Sequence, residues 1–253
     1  MIEAYSPDRS LRGKLRRRAL RAISRRRAGP VPAGGLVSFS FDDVPASAAE
    51  AGAAVLEAAG LRGSFYVAGA LRDRESRMGR FASADEVARL VRAGHEVGCH
   101  THGHIDLAHT STAEVEAELD ANREALAASG APVPSTFAYP YGELGLRAKR
   151  VAADRFSVAR TVQAGLVRSG SDLAQAPAVG IEGEGGERAA GGWIARAARE
   201  GAWLILYTHD VQPRPSAWGC TPEALRRVVD RALAAGLRPV TVAEGGAMLG
   251  AAR

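Results

Sequence analysis

From residue 36 onward the chain alternates short apolar runs with longer amphipathic stretches. Residues 36–41, 63–68, 96–99, 136–139, 156–159, 178–181 and 203–208 are too short for helices and read as buried strands. Between them, residues 46–59, 84–93, 112–129 and 222–235 carry helical periodicity. Gly60, Gly94 and Gly130 end the first three, and Ser83 and Ser111 or Thr112 stand where N-caps belong. A last strand is expected over 239–242, and 183–186 reads as a loop. Strand and helix in regular succession predict parallel strands, and this many units in one domain predict an α/β barrel. In such a barrel the chemistry gathers at the C-terminal ends of the strands.

The chain has 253 residues, 46% hydrophobic and 24% charged, enough for a sizeable core. Its net charge of +5 is unevenly spread. Ten Lys/Arg fall between Arg9 and Arg27, and without them the rest would carry about −5. Residues 1–35 are thus a basic arm and a Gly/Pro linker, and 36–253 the globular domain. Leu11, Leu15, Ala19, Ala22 and Ile23 recur at helical spacing within the arm, a pattern suited to peripheral contact with an anionic membrane. A single aromatic residue in the arm, Tyr5, and no recognisable module after it exclude a nucleic-acid reader. Two cysteines make no disulfide framework. No run of 18 apolar residues is present and no apolar segment follows the first charges, so the expected location is cytoplasmic. Oligomeric state is not legible.

Four strand ends carry polar clusters. Strand one ends in Asp42-Asp43; on extended backbone the two carboxylates point in different directions, so one can meet a metal and the other a substrate. After strand three, His100 and His104 stand four residues apart, close enough for one ion, while His102 is expected to point elsewhere and His95 and His109 to be structural. Strand four ends in Tyr139-Pro140-Tyr141-Gly142, a constrained turn that can aim the Tyr141 N–H at an oxyanion. Strand seven ends in His209, suited to general acid work.

Together, Ser40-Phe41-Asp42-Asp43 and His100-Thr101-His102-Gly103-His104 resemble the first two motifs of the polysaccharide deacetylase family, the NodB-homology or carbohydrate esterase family 4 domain. The resemblance covers residues 36–249. It implies a distorted (β/α)7 barrel and a divalent metal, with Zn2+ the expected ion. It implies Asp42 as catalytic base, Asp43, His100 and His104 as metal ligands, and His209 as catalytic acid. Pro140, Tyr141 and Leu206 would line the substrate and oxyanion site. The family's third-motif Arg is replaced by Ala138, and its Asp-Trp fourth motif has only Gly192-Trp193 as a poor match. Arg160, ending strand five, is the candidate to reach Asp42 in place of the missing Arg. The implied reaction is N-deacetylation of amino sugars in an exopolysaccharide or its lipid-linked precursor, in the manner of holdfast-type deacetylases. An O-deacetylase and a catalytically degenerate carbohydrate-binding protein are the alternatives.

Overall fold

The computed structural model describes residues 20, 23 and 25–250. The amphipathic helix expected across 11–23 falls almost wholly outside them. Seven parallel strands form the body: β1 (Leu36–Asp42), β2 (Ser64–Val67), β3 (Glu96–Cys99), β4 (Thr136–Ala138), β5 (Val158–Arg160), β6 (Val179–Gly180) and β7 (Trp203–Thr208). Their order is β5-β4-β3-β2-β1-β7-β6. Ala176, just before β6, bridges in parallel to Arg160 of β5, so the two edges meet. That closure through one bridge is the distortion in the expected (β/α)7 barrel. A short β8 (Arg238–Pro239) pairs beside the start of β1.

The helices pack outside the sheet. A π turn over Ala48–Gly52 leads into α1 (Ala53–Ala58). α2 (Ala84–Arg92) opens with a Ser83–Glu86 capping box, and α3 (Thr112–Ala127) with the Ser111 hydroxyl accepting from the Glu114 N–H. Two helices were not legible, α4 (Leu146–Arg155) and α5 (Gly186–Glu200). α5 contains three glycines, poor helix formers, but a Cβ on Gly191 would collide with Arg231 of α6 (Pro222–Ala234). Close helix packing therefore outweighs propensity there. The strand expected over 239–242 is corrected: Thr241 is the N-cap of α7 (Val242–Met248), bonded to the Glu244 N–H, so the chain turns helical there.

Strand alternation sorts the side chains into two sets. Val37, Phe39 and Phe41 of β1, Phe65 and Val67 of β2, and Leu204 and Leu206 of β7 pack outward with Leu56, Leu90, Ile194 and Val228 of the helices. Trp203, Ile205 and Tyr207 belong to a separate inner cluster with Leu36, Val158 and Ala176. Ser38, Ser40 and Asp42 of β1 take the opposite parity to its three outward residues, which puts them inside. The barrel interior is therefore unusually polar, and the two serines of β1 are paired there. Ser38 accepts from the Trp203 indole N–H at 3.0 Å, and Ser40 donates to the Leu206 carbonyl at 2.9 Å.

The end of the basic arm docks on the barrel. Residue 27 bridges antiparallel to 172, and across the same strip the Ala28 N–H donates to the Ser171 carbonyl while the Ala28 carbonyl accepts from the Gly170 N–H, both at 2.8 Å. Buried Lys149 donates to Asp172 at 2.6 Å and also to the Leu20 carbonyl. Residues 25–29 are thus packed against the domain rather than free of it.

Candidate active site and metal centre

The expected strand ends converge at one mouth. Asp43, His100 and His104 each offer a ligand atom, all within 4.8 Å of one another. Asp43 Oδ1 lies 3.0 Å from His104 Nε2 and 3.4 Å from His100 Nε2, yet it is buried with no hydrogen-bond partner. Burial would raise the Asp43 carboxyl, but the two imidazoles outweigh it and hold the group well below the usual carboxylate range. His100 Nδ1 is 2.8 Å from the Ala138 carbonyl, which fixes the proton on Nδ1 and leaves Nε2 as a ligand. Two imidazoles and a carboxylate converging on one point, with an orphaned oxygen among them, fit a divalent cation; the nitrogen-rich set suits zinc.

The backbone is bent to make this arrangement. Six non-glycine residues of the described chain have positive φ, and five are Asp43, Val44, Thr101, His104 and Tyr141. Such conformations cost roughly 1–3 kcal/mol each and persist where the surroundings impose them. Thr101 and His104 curl the loop so that both imidazoles face Asp43, with ring centroids 4.9 Å apart. This is a tight loop, not a helical turn. His102 points away, towards Gly69, and His95 is buried against Glu57 at 2.9 Å.

Beside the cluster, Asp42 is buried and bonded by Arg160. The Arg160 guanidinium is wholly enclosed, 4.8 Å from the Tyr66 ring centroid and 5.1 Å from that of Tyr207. Burial pulls its pKa down to about 10. β5 therefore delivers the guanidinium that Ala138 of β4 cannot. The Arg160 Nε and Nη1 find no hydrogen-bond partner among the described residues.

On the other side, His209 Nδ1 lies 3.0 Å from Glu182 Oε1 and 3.2 Å from the Trp218 carbonyl. Glu182 follows β6 and was not anticipated. Its signal was its place directly after strand six, one of two strand ends with no assigned polar group. Burial lowers His209, but the Glu182 hydrogen bond, the Asp43 and Glu182 charges and the Trp218 carbonyl outweigh it, so the imidazole is pushed up.

Pro140 begins a short 3-10 turn, and Tyr141 takes φ 59° there with its ring 4.6 Å from that of His104. Gly142 is required: a Cβ would lie 2.3 Å from Val162. Leu206 is not brought to the site. It faces the helices, and Tyr207, two residues before His209, takes the inward place, because strand parity permits only one of the two. Gly192-Trp193 lies within α5, with Arg196 over the indole, and is no part of the mouth. Both cysteines are buried and unpaired.

Residues 31–155 match the family model described as Polysaccharide deacetylase. No curated protein matches the sequence. Among solved structures, a candidate polysaccharide deacetylase from Mycobacterium smegmatis superposes with a TM-score of 0.70 at 18% identity, covering 90% of this chain and 95% of that one. A family 4 acetyl xylan esterase from Clostridium thermocellum, solved with cobalt, gives 0.55 at 22% identity over 84% and 91%. The Bc1960 peptidoglycan N-acetylglucosamine deacetylase gives 0.57 at 20% over 85% and 89%. At these identities the superpositions speak for the fold.

Proposed function

For a chain that belongs to the polysaccharide deacetylase family over residues 31–155, we propose metal-dependent removal of acetyl groups from N-acetylated amino sugars of a glycan. The observation that carries it is the pairing of a held carboxylate with a held imidazole: Asp42 on Arg160 and His209 on Glu182, either side of Asp43, His100 and His104. Those three would hold a divalent cation, Zn2+ by their donor set, which when bound supplies polarisation of the acetyl carbonyl and acidification of the water.

The chain's own groups divide the rest of the work. Arg160 holds the Asp42 carboxylate in place, and Asp42 takes the proton of the attacking water. The Tyr141 N–H, in its left-handed turn beside His104, donates to the oxyanion. His209 carries its Nδ1 proton against Glu182 and delivers a proton from Nε2 to the departing nitrogen. An imidazole pushed up keeps its proton to higher pH than a free one, and an amine needs that proton to leave while an alkoxide of an ester needs it less. This favours amide over ester. The natural substrate in this reading is an exopolysaccharide or its lipid-linked precursor. Acetate release from N-acetylglucosamine oligomers, measured before and after chelation and again with zinc or cobalt restored, is the test. Release that depends on metal and is lost in Asp42→Asn is expected. Release only from O-acetylated glycan would turn the reading to an esterase, and metal-loaded protein that binds glycan without releasing acetate would turn it to a binding protein.

The basic arm supports peripheral contact with an anionic membrane from the cytoplasmic side. Among the described residues no helix is long and apolar enough to cross one. Since Leu20 is buried and residues 25–28 pair with the domain, the arm should be removed only through residue 19. That deletion is expected to spare soluble-substrate turnover and to weaken binding to anionic vesicles at low salt. Unchanged vesicle binding would remove this part of the reading.

A further inference from the structure

Arg160 has to reach Asp42 from another part of the barrel. It is the last residue of β5, a strand of three residues at the end of the sheet order, whereas Asp42 ends β1, four strands away in that order. The Arg160 backbone is fixed: its carbonyl accepts from the Tyr139 N–H at 3.0 Å, and Ala176 bridges to it from the other side. The side chain is a long unbranched stem, and its guanidinium meets one hydrogen-bond acceptor, Asp42, through Nη2. Nε and Nη1 meet none among the described residues, although the side chain is wholly buried. One ion pair at the tip of such a stem does not by itself select a single pose.

Two tyrosines supply the walls, and strand register puts them there. Tyr66 of β2 pairs directly with Asp42, and Tyr207 of β7 pairs with Ser40, the preceding inward residue of β1. Phe65 and Val67 face the helices, so Tyr66 faces in; Leu206 faces the helices, so Tyr207 does the same. The strands on the two sides of β1 thus each bring one ring to the guanidinium. Its carbon lies 4.8 Å from the Tyr66 centroid and 5.1 Å from that of Tyr207. Tyr66 is seated by a glycine: Gly98 of β3 is its neighbour on the far side, and a Cβ there would lie 2.5 Å from Tyr66 Cε1. A buried cation with unmatched N–H groups needs another source of stabilisation, and the negative faces of two desolvated rings provide it.

We propose that Tyr66 and Tyr207 are positioning residues of the reaction, which clamp Arg160 and through it hold Asp42 in the pose that receives the water's proton. The clamp is what lets an arginine from β5 serve the carboxylate that Ala138 of β4 cannot. It rests on the deacetylase reading in one respect, that Asp42 is the base.

Tyr66 is the cleaner probe, since Tyr207 also lies 6.3 Å from the His209 ring. The full zinc-loaded chain is compared as wild type, Tyr66→Leu, Arg160→Met and the double variant, with N-acetylglucosamine tetramer as substrate. Tyr66→Leu is expected to lower kcat about tenfold, the scale of one desolvated cation–π contact, and to leave KM within about twofold. In the Arg160→Met background the same change should cost no more than about twofold, because the cation it serves is gone. Tyr66→Phe, which keeps the ring, should recover most of the loss. Phenylalanine carrying ring fluorines at position 66 keeps the shape and weakens the negative face, so kcat should fall as fluorines are added; this series decides the matter if Tyr66→Leu does not fold. An undiminished kcat, an equal loss with and without Arg160, or indifference to fluorination overturns the clamp. Urea unfolding of the same four proteins separates the clamp from the reaction. Tyr66→Leu should raise the unfolding equilibrium constant about tenfold more with Arg160 present than with Met in its place. Coupling of this kind in a protein that releases no acetate leaves the clamp standing and removes the reaction. Strictly additive changes in a protein that does release acetate overturn the clamp alone.

Discussion

Two carboxylates stand at opposite ends of the same barrel, Asp43 buried and Glu96 half-buried, and they are treated in opposite ways. At the floor, Glu96 Oε2 accepts from the Ser64 hydroxyl at 2.6 Å and the Ala243 N–H at 2.9 Å, while Thr136 donates to Oε1. All of its donors are neutral, and burial raises the carboxyl above its ordinary value. At the mouth, Asp43 is held far below its ordinary value by imidazoles, keeps an oxygen with no hydrogen bond, and sits on a left-handed backbone. Glu96 closes the barrel by receiving the start of α7 and is finished as it stands. Asp43 is an ionised group whose surroundings are completed only by a cation. What separates the two ends is whether the charge is satisfied by the chain itself.

The comparison breaks first if Asp43 can be removed without consequence. Asp43→Ala should abolish stoichiometric metal binding and lower acetate release by at least about a thousandfold, the scale of losing a metal's charge stabilisation. Metal content by elemental analysis, with circular dichroism to confirm the fold, is the check. Retained metal would place the cation elsewhere. Next comes Arg160→Met. Leaving buried Asp42 without its cation should cost about 3–5 kcal/mol of stability, read by urea unfolding, together with roughly a hundredfold in turnover. Turnover and stability both unchanged would return the Arg160 pair to mere packing.

A smaller effect is expected of Glu182→Gln. Glu182 raises His209, and activity needs His209 protonated, so the alkaline limb of the pH–rate profile lies above the ordinary imidazole value of about 6.5. Without the charge the folded pKa falls and the limb moves to lower pH. At pH 7.5 the loss should be about tenfold and should shrink as pH is lowered, since the remaining imidazole is then protonated anyway. A limb that stays in place would mean that His209 is not the acid.

How much of this was open in the residues differs between the two ends. Strands β1, β3 and β7 were legible almost to the residue, because an apolar run bounded by Asp, His or Gly has no good helical reading. Asp42, Asp43, His100, His104 and His209 were visible because they stand at those strand ends. Arg160 was reached because strand five ends in the one guanidinium able to stand in for Ala138. Glu182 was missed because it falls between the strand read over 178–181 and the Gly-rich loop read over 183–186, a stretch whose glycines mask α5. Leu206 was misplaced by one residue, which on a strand is a whole face. The left-handed turns at Asp43, Thr101, His104 and Tyr141 have no signal in residue type, since none is glycine; they are imposed by the contacts they serve.

The gentlest change sharpens the comparison most directly. Glu96→Gln keeps the shape of the floor and removes its charge. An acid whose folded pKa is raised contributes most to stability below its unfolded pKa, about 4.3, and that contribution is lost as pH climbs through the folded value. Glutamine has no such loss. Relative to the wild type, the variant should therefore gain on going from pH 4 to pH 7, by about 1 kcal/mol or less, because the Ser64 and Ala243 donors still find the amide oxygen and the Thr136 hydroxyl can turn to accept from the amide nitrogen. Urea unfolding at the two pH values reads the difference, with metal content and acetate release expected to match the wild type. A Glu96→Gln protein that folds but binds no metal would contradict the division between the ends, for it would show the floor's charge reaching the mouth.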